Sequence, residues 1–243
     1  WTIGGTTGSV NGASASTGST IDQILVNSGS TPATVTYRVT PVANDCEGTP
    51  VNIVVTVNPV PNAVAGGLTT ICSNTATNIP LSGATAGTTF NWTVGTVTGG
   101  ITGATADGGN VISQTLTNPG TTPGTVTYIV TPTANGCPGV PINVVVTVNP
   151  TPDVIATGST TICSNSATNI ALSSSVAGTT YSWTIGTVTG SLSGASDSNG
   201  TTIAQTLVNS GLTPATVQYI VTPMSNSCQG AAVPITVTVN PLT

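Results

Sequence analysis

The chain has 243 residues and a formal net charge of −5, with one Lys or Arg, six Asp or Glu and no His. So few cations exclude binding to nucleic-acid phosphates or to an anionic membrane surface, and apolar runs such as Ile53–Val55 are far shorter than the ~20 residues a membrane-crossing helix needs. Abundant Val, Ile and Leu alternating with polar residues exclude a disordered chain, which leaves a folded protein whose surface is Thr, Ser, Asn and Gly rather than charge.

The chain is internally repetitive. Trp1, Trp92 and Trp183 recur every 91 residues, and so do Cys46, Cys137 and Cys228, while Cys72 and Cys163 keep the same interval. A fixed period of this length is the mark of an array of small domains. The boundaries fall at Asn58-Pro59-Val60-Pro61 and Asn149-Pro150-Thr151-Pro152. Residues 1–60 are thus a partial repeat lacking its first strands, and 61–151 and 152–243 are full ones. Alternating prolines restrict the residues before them to extended backbone, so these joints are expected to be short and stiff and the array an extended rod.

In chain order, the second copy predicts a first strand from Ala63 to Ile71 and a short one at Ile79–Leu81. Phe90, Trp92 and Val94 then alternate on one face, with Asn91 and Thr93 on the other. Short strands follow near Ile101–Thr105 and Ile112–Leu116. Val126, Tyr128 and Val130 share a face, as do Ile142, Val144, Val146 and Val148. This is the period of two that strands require, and Gly, Asn and Pro clusters separate the runs. No segment has helical periodicity. About seven antiparallel strands in ~90 residues predict an all-β, two-sheet sandwich of immunoglobulin type. The alternation places Trp1, Trp92, Trp183, Tyr37, Tyr128 and Tyr219 in the cores. Arg38, which stands where the other copies have Ile129 and Ile220, lies on the strand face opposite to Tyr37, so that face is open to water.

Five cysteines at a regular interval in a charge-poor chain point to disulfides and an oxidising compartment. Two pairings respect the period. One closes each repeat on itself, as Cys72–Cys137 and Cys163–Cys228, leaving Cys46 single. The other crosses the seams as Cys46–Cys72 and Cys137–Cys163. The first is preferred because it would tie the first strand of each domain to its last hairpin. Two cysteines per repeat with no His cannot fill a zinc site. Without His or Lys the Ser and Cys side chains lack an ordinary base, and no acidic position is shared between copies, which also removes a repeated calcium site. Neither a catalytic site nor a cofactor or metal site is expected. Gln23, Gln114 and Gln205 recur between inward apolar residues and are read as buried amides bonded to backbone at a sheet end rather than as ligand contacts. Asn91-Trp92-Thr93 and Asn199-Gly200-Thr201 fit the N-glycosylation pattern, but neither recurs in the other copy and both are read as chance.

Several stretches together resemble the PKD-like repeats of Bacteroidetes surface proteins. They are Thr70-Ile71-Cys72-Ser73-Asn74, Phe90-Asn91-Trp92, Thr127-Tyr128-Ile129-Val130-Thr131-Pro132, Asn135-Gly136-Cys137 and Val146-Thr147-Val148-Asn149-Pro150. The resemblance covers the whole chain. Classical PKD domains carry a more acidic, Gly-rich motif after the Trp, where Thr93-Val94-Gly95-Thr96 stands here. The resemblance implies a non-catalytic stalk of a long adhesin at the cell surface, of the kind that includes gliding-motility adhesins exported by type IX secretion. The partners would be neighbouring repeats of the same polypeptide. Two other readings stay open: a polysaccharide-binding module of a secreted hydrolase, and a filament subunit that self-associates through strands such as Val144–Val148, which lack charged gatekeepers. Trp1 is equivalent to Trp92, so the first repeat lacks a counterpart of residues 61–91. The expectation is a slice of a longer polypeptide, the alternative being strands donated by a neighbouring chain.

Overall fold

Strict alternation over Gly124–Ala134 buries every second side chain, and this strand is the spine of the second repeat in the computed structural model, which describes residues 1–242. On one side it pairs with Thr89–Val97, which carries Phe90 and Trp92. On the other it pairs with Ile142–Asn149, which carries Val144, Val146 and Val148. Asp107–Gly108 closes one edge of this sheet and Thr70–Cys72 the other. The facing sheet is smaller. Ile79–Ser82 pairs with Val64–Ala65 and Val111–Ile112, and Thr75–Ala76 pairs with Thr115–Leu116 beside them. Between the two sheets Ile79, Ile112, Leu116, Val126, Tyr128 and Val146 are fully buried, and Phe90 and Trp92 are 4% exposed.

The third repeat has the same arrangement, with Ala215–Ser225 as spine and a second, separate core around Ile170, Tyr181, Trp183, Leu207, Tyr219 and Val237. The chain is all-β, a run of immunoglobulin-like sandwiches, with no helix among the described residues. The copies do not share a core; each full one encloses its own.

The structure departs from the expected strand map in three places. The stretch Ala63–Ile71 is not one strand. It breaks at Gly66-Gly67, where Gly67 takes φ +80, so Val64–Ala65 lies in the small sheet and Thr70–Cys72 crosses to the large one. Ile101–Thr105 forms only an isolated bridge, Thr102 to Thr117. Finally, among the described residues all pairings are antiparallel except those of Thr70–Cys72 with Thr147–Asn149 and Thr161–Cys163 with Thr238–Asn240, which are parallel. After switching sheets each of these strands runs alongside the last strand in the same direction and ends at the repeat's C-terminal tip.

In the first repeat, Thr2–Thr7, Ala33–Val39 and Val51–Val57 form a three-stranded sheet. Tyr37 is 1% exposed, but Trp1 is only half-buried, unlike Trp92 and Trp183, because among the described residues no second layer comparable to Ile79–Ser82 covers it. For the same reason Ile53 is 45% exposed where its equivalent Val144 is 4%. Arg38 is exposed on the opposite face.

Candidate functional site: the seam between repeats

No group of three or more His, Cys, Asp or Glu among the described residues could hold a metal ion. The organised polar and covalent chemistry concentrates where one repeat meets the next, and it starts from a hairpin. After each spine strand the chain turns through two residues with positive φ: Asn135 (51°) and Gly136 (76°), and in the third repeat Asn226 (48°) and Ser227 (63°). Two successive left-handed residues make the type I′ turn, whose twist matches a tight hairpin. The residue after the turn is the recurring cysteine, and the arm closes with Gly139 N–H donating to Pro132 O at 2.8 Å and Gly230 N–H to Pro223 O at 2.9 Å.

This arm projects back over the linker that precedes its own repeat. Asn58 donates through Nδ2 to Asn135 O at 3.2 Å, and Asn149 donates to Asn226 O at 3.4 Å. The approach is close enough that a Cβ on Gly139 would lie 1.9 Å from Pro61 O, and one on Gly230 the same distance from Pro152 O. Only glycine fits there. Pro59, Pro61, Pro150 and Pro152 are buried. The joints expected to be short and stiff are packed interfaces, built the same way twice.

On the other side of the seam the end of the preceding repeat is knitted by side chains. Ser73 N–H donates to Asn149 O at 2.8 Å. Ser73 Oγ accepts from Asn118 N–H at 2.9 Å. The Asn118 amide donates to Val148 O at 2.7 Å and Thr122 O at 2.9 Å. Asn209 and Ser164 repeat the arrangement in the third repeat. These bonds hold Cys72, the residue before Ser73, at the tip of its repeat, facing the next hairpin.

The structure joins Cys72 to Cys228, with Cα atoms 5.5 Å apart, and leaves Cys46, Cys137 and Cys163 as thiols. This corrects the within-repeat pairing Cys72–Cys137 and Cys163–Cys228, and the reason is the strand geometry. Cys72 sits beside Asn149, at one end of Ile142–Asn149, whereas Cys137 pairs with Ala134, beyond the other end. Along the spine strand the level of Asn149 and that of Ala134 are eleven steps apart, which at ~3.4 Å each puts the two cysteines roughly 37 Å apart, and a disulfide needs Cα atoms within about 7 Å. The alternative, Cys46–Cys72, has the wrong polarity. The first-strand cysteine reaches the hairpin of the following repeat, not that of the preceding one.

A second recurring device braces each core. Gln114 Nε2 donates to Thr105 O at 2.8 Å, its Oε1 accepts from Thr105 N–H at 3.0 Å, and the Tyr128 hydroxyl donates to the same oxygen at 2.9 Å. Gln23 with Ser14 and Tyr37, and Gln205 with Ser196 and Tyr219, do the same. The amides are thus half-buried clamps on a loop rather than ligand contacts. Burial pushes the hydroxyls of Tyr128 and Tyr219 up to about 12 from the ordinary 10.0. A raised pKa in the fold means that only the unfolded chain ionises between the two values, so stability is intact below pH 10 and falls as pH rises towards 12. An absorbance titration should find these two tyrosines ionising later in the native chain than in urea; coincident curves would contradict the buried clamp.

The model of the PKD-like domain family matches residues 1–61, 69–152 and 160–243. Among solved structures, human CDH23 EC21-23 is 16% identical with a TM-score of 0.35, covering 86% of this chain and 73% of that one. Drosophila N-cadherin EC1-3 is 11% identical with a TM-score of 0.26, over 87% of this chain and 76% of that one. Protocadherin Gamma B2 extracellular cadherin domains 3-6 are 9% identical with a TM-score of 0.34, and 87% of this chain covers 59% of that chain. No curated protein matches the chain.

Proposed function

The chain belongs to the PKD-like domain family in each of its three repeats, and from that premise we propose that it is a structural stalk of an extracellular, cell-surface adhesin or fibre. Residues 1–60, 61–151 and 152–243 act in it as successive links. The observation that carries this reading is the seam: Cys72–Cys228 makes one repeat covalently continuous with the hairpin of the next. A disulfide of this kind persists in oxidising surroundings outside the cell. A surface almost free of charge keeps such a stalk indifferent to salt and pH. The partners in this reading are neighbouring repeats, with bound polysaccharide and lateral self-association as further roles of the assembled fibre. Export by type IX secretion and a part in gliding motility belong to the same reading, on the resemblance of the cysteine-bearing motifs to such adhesins.

Two measurements test it. Solution scattering should give a rod approaching ~100 Å, since strands of 7–9 residues span ~25–30 Å and the repeats stack end to end. A radius of gyration near the ~18 Å of a compact globule of this length would contradict it. An antibody against the chain should label intact cells of the source organism, and labelling only after lysis would overturn the extracellular role.

A further inference from the structure

The single disulfide has a consequence for the three remaining thiols. Cys137 follows the same turn as Cys228 and belongs to an arm docked on its seam in the same way, through Asn58 to Asn135 and Gly139 against Pro61 O. Cys163 ends the same parallel strand as Cys72, beside Asn240 as Cys72 is beside Asn149. Cys46 occupies the hairpin position in the first repeat, after Asn44 and Asp45 with φ of 48° and 61°. Each thiol thus repeats one half of the Cys72–Cys228 bond.

We infer that these thiols are attachment points for further repeats: Cys163 takes the hairpin cysteine of a following repeat, and Cys137 and Cys46 each take the first-strand cysteine of a preceding one. Each bond forms as two thiols give up two protons and two electrons to a disulfide oxidant, which leaves as two thiols. The result is a staple across every seam, and it changes how tension travels. A pull entering a first-strand cysteine crosses to the next hairpin, bypassing the 156-residue separation that the disulfide spans. It then follows the backbone only to the next first-strand cysteine, as from Cys46 to Cys72 or Cys137 to Cys163, 26 residues on. Two interleaved tracks of this kind run along the array, and neither lets a whole sandwich unravel while its bonds hold. The inference rests on the stalk reading for its purpose but not for its chemistry.

The test adds one repeat. A copy of residues 152–242 joined directly after Leu242 continues the period, and the chain is oxidised in a glutathione buffer, so that failure reports on geometry and not on cellular location. Peptic peptides mapped without reduction should link Cys72 to Cys228 and Cys163 to the added hairpin cysteine. Alkylatable thiols should stay at three, the number in the present chain, rather than rise to five. Cys163 found bonded to Cys228, or left as a thiol, would overturn the inference. Should the longer chain fail to fold, Cys72→Ser in the natural chain serves instead. Cys228 should then remain a thiol, and a Cys163–Cys228 bond would show that a repeat can close on itself and would refute the staple.

Discussion

Replacing Cys228 with Ser is expected to cost the second and third repeats together about 5 kcal/mol of stability, from the loop-closure entropy of a 156-residue separation. The crosslink spans two cores, so its loss should also change the form of unfolding. With the bond, opening either sandwich leaves its chain tethered to the other; without it, only the noncovalent contacts of the seam couple the two. Denaturant titration with two probes, Trp92 in one core and Trp183 in the other, should show earlier midpoints for both in Cys228→Ser. Reductant should bring the parent to the same values and leave the variant unmoved. Cys137→Ser removes a thiol with no partner in this chain and should change neither midpoint. Identical curves for Cys228→Ser and the parent would mean the bond does not form.

Gly230→Ala should be costly in a different way. The added Cβ would lie 1.9 Å from Pro152 O and 2.8 Å from Pro223 Cγ, and the first of these is backbone that cannot rotate aside. Relief requires the hairpin arm to lift from the linker, which also carries Cys228 away from Cys72. Overpacking of this kind costs ~3 kcal/mol, and the variant should oxidise to the Cys72–Cys228 form more slowly than the parent. Gly48→Ala is the internal control. It occupies the same position in the first repeat, where a Cβ would meet only Pro41, 2.9 Å away at the nearest atom. A Gly230→Ala chain as stable as the Gly48→Ala chain would remove the docked hairpin from the account.

Much of this architecture was legible in the residues. Alternation at Phe90-Asn91-Trp92 and at Val126 to Val130 identifies the strands and their inner face, because a half-buried strand must repeat every second residue. The period of 91 identifies the repeats. The recurring glutamines were legible as backbone-bonded amides. The tyrosine that shares their oxygen was not, since residues 114 and 128 meet only when two sheets pack. What composition and spacing hid was the direction of the first strand. Nothing in Ala63–Ile71 announces that it changes sheets at Gly66-Gly67 and ends, parallel to the last strand, at the tip of the repeat. Without that turn Cys72 looks like a neighbour of Cys137. With it, the two lie at opposite ends and the seam supplies the partner. Gly139 and Gly230 carried a usable signal: a glycine two residues after a recurring cysteine, kept where its neighbours vary between copies.

The covalent seam is tested most directly by a disulfide map of the unreduced chain. Thiols are alkylated under native conditions, the protein is digested with pepsin at low pH to prevent exchange, and the linked peptides are sequenced by mass spectrometry. One linkage is expected, Cys72 to Cys228, with Cys46, Cys137 and Cys163 all alkylated. Linkages of Cys72 to Cys137 and Cys163 to Cys228 would mean that each repeat closes on itself, and would contradict the seam as the covalent joint of the array.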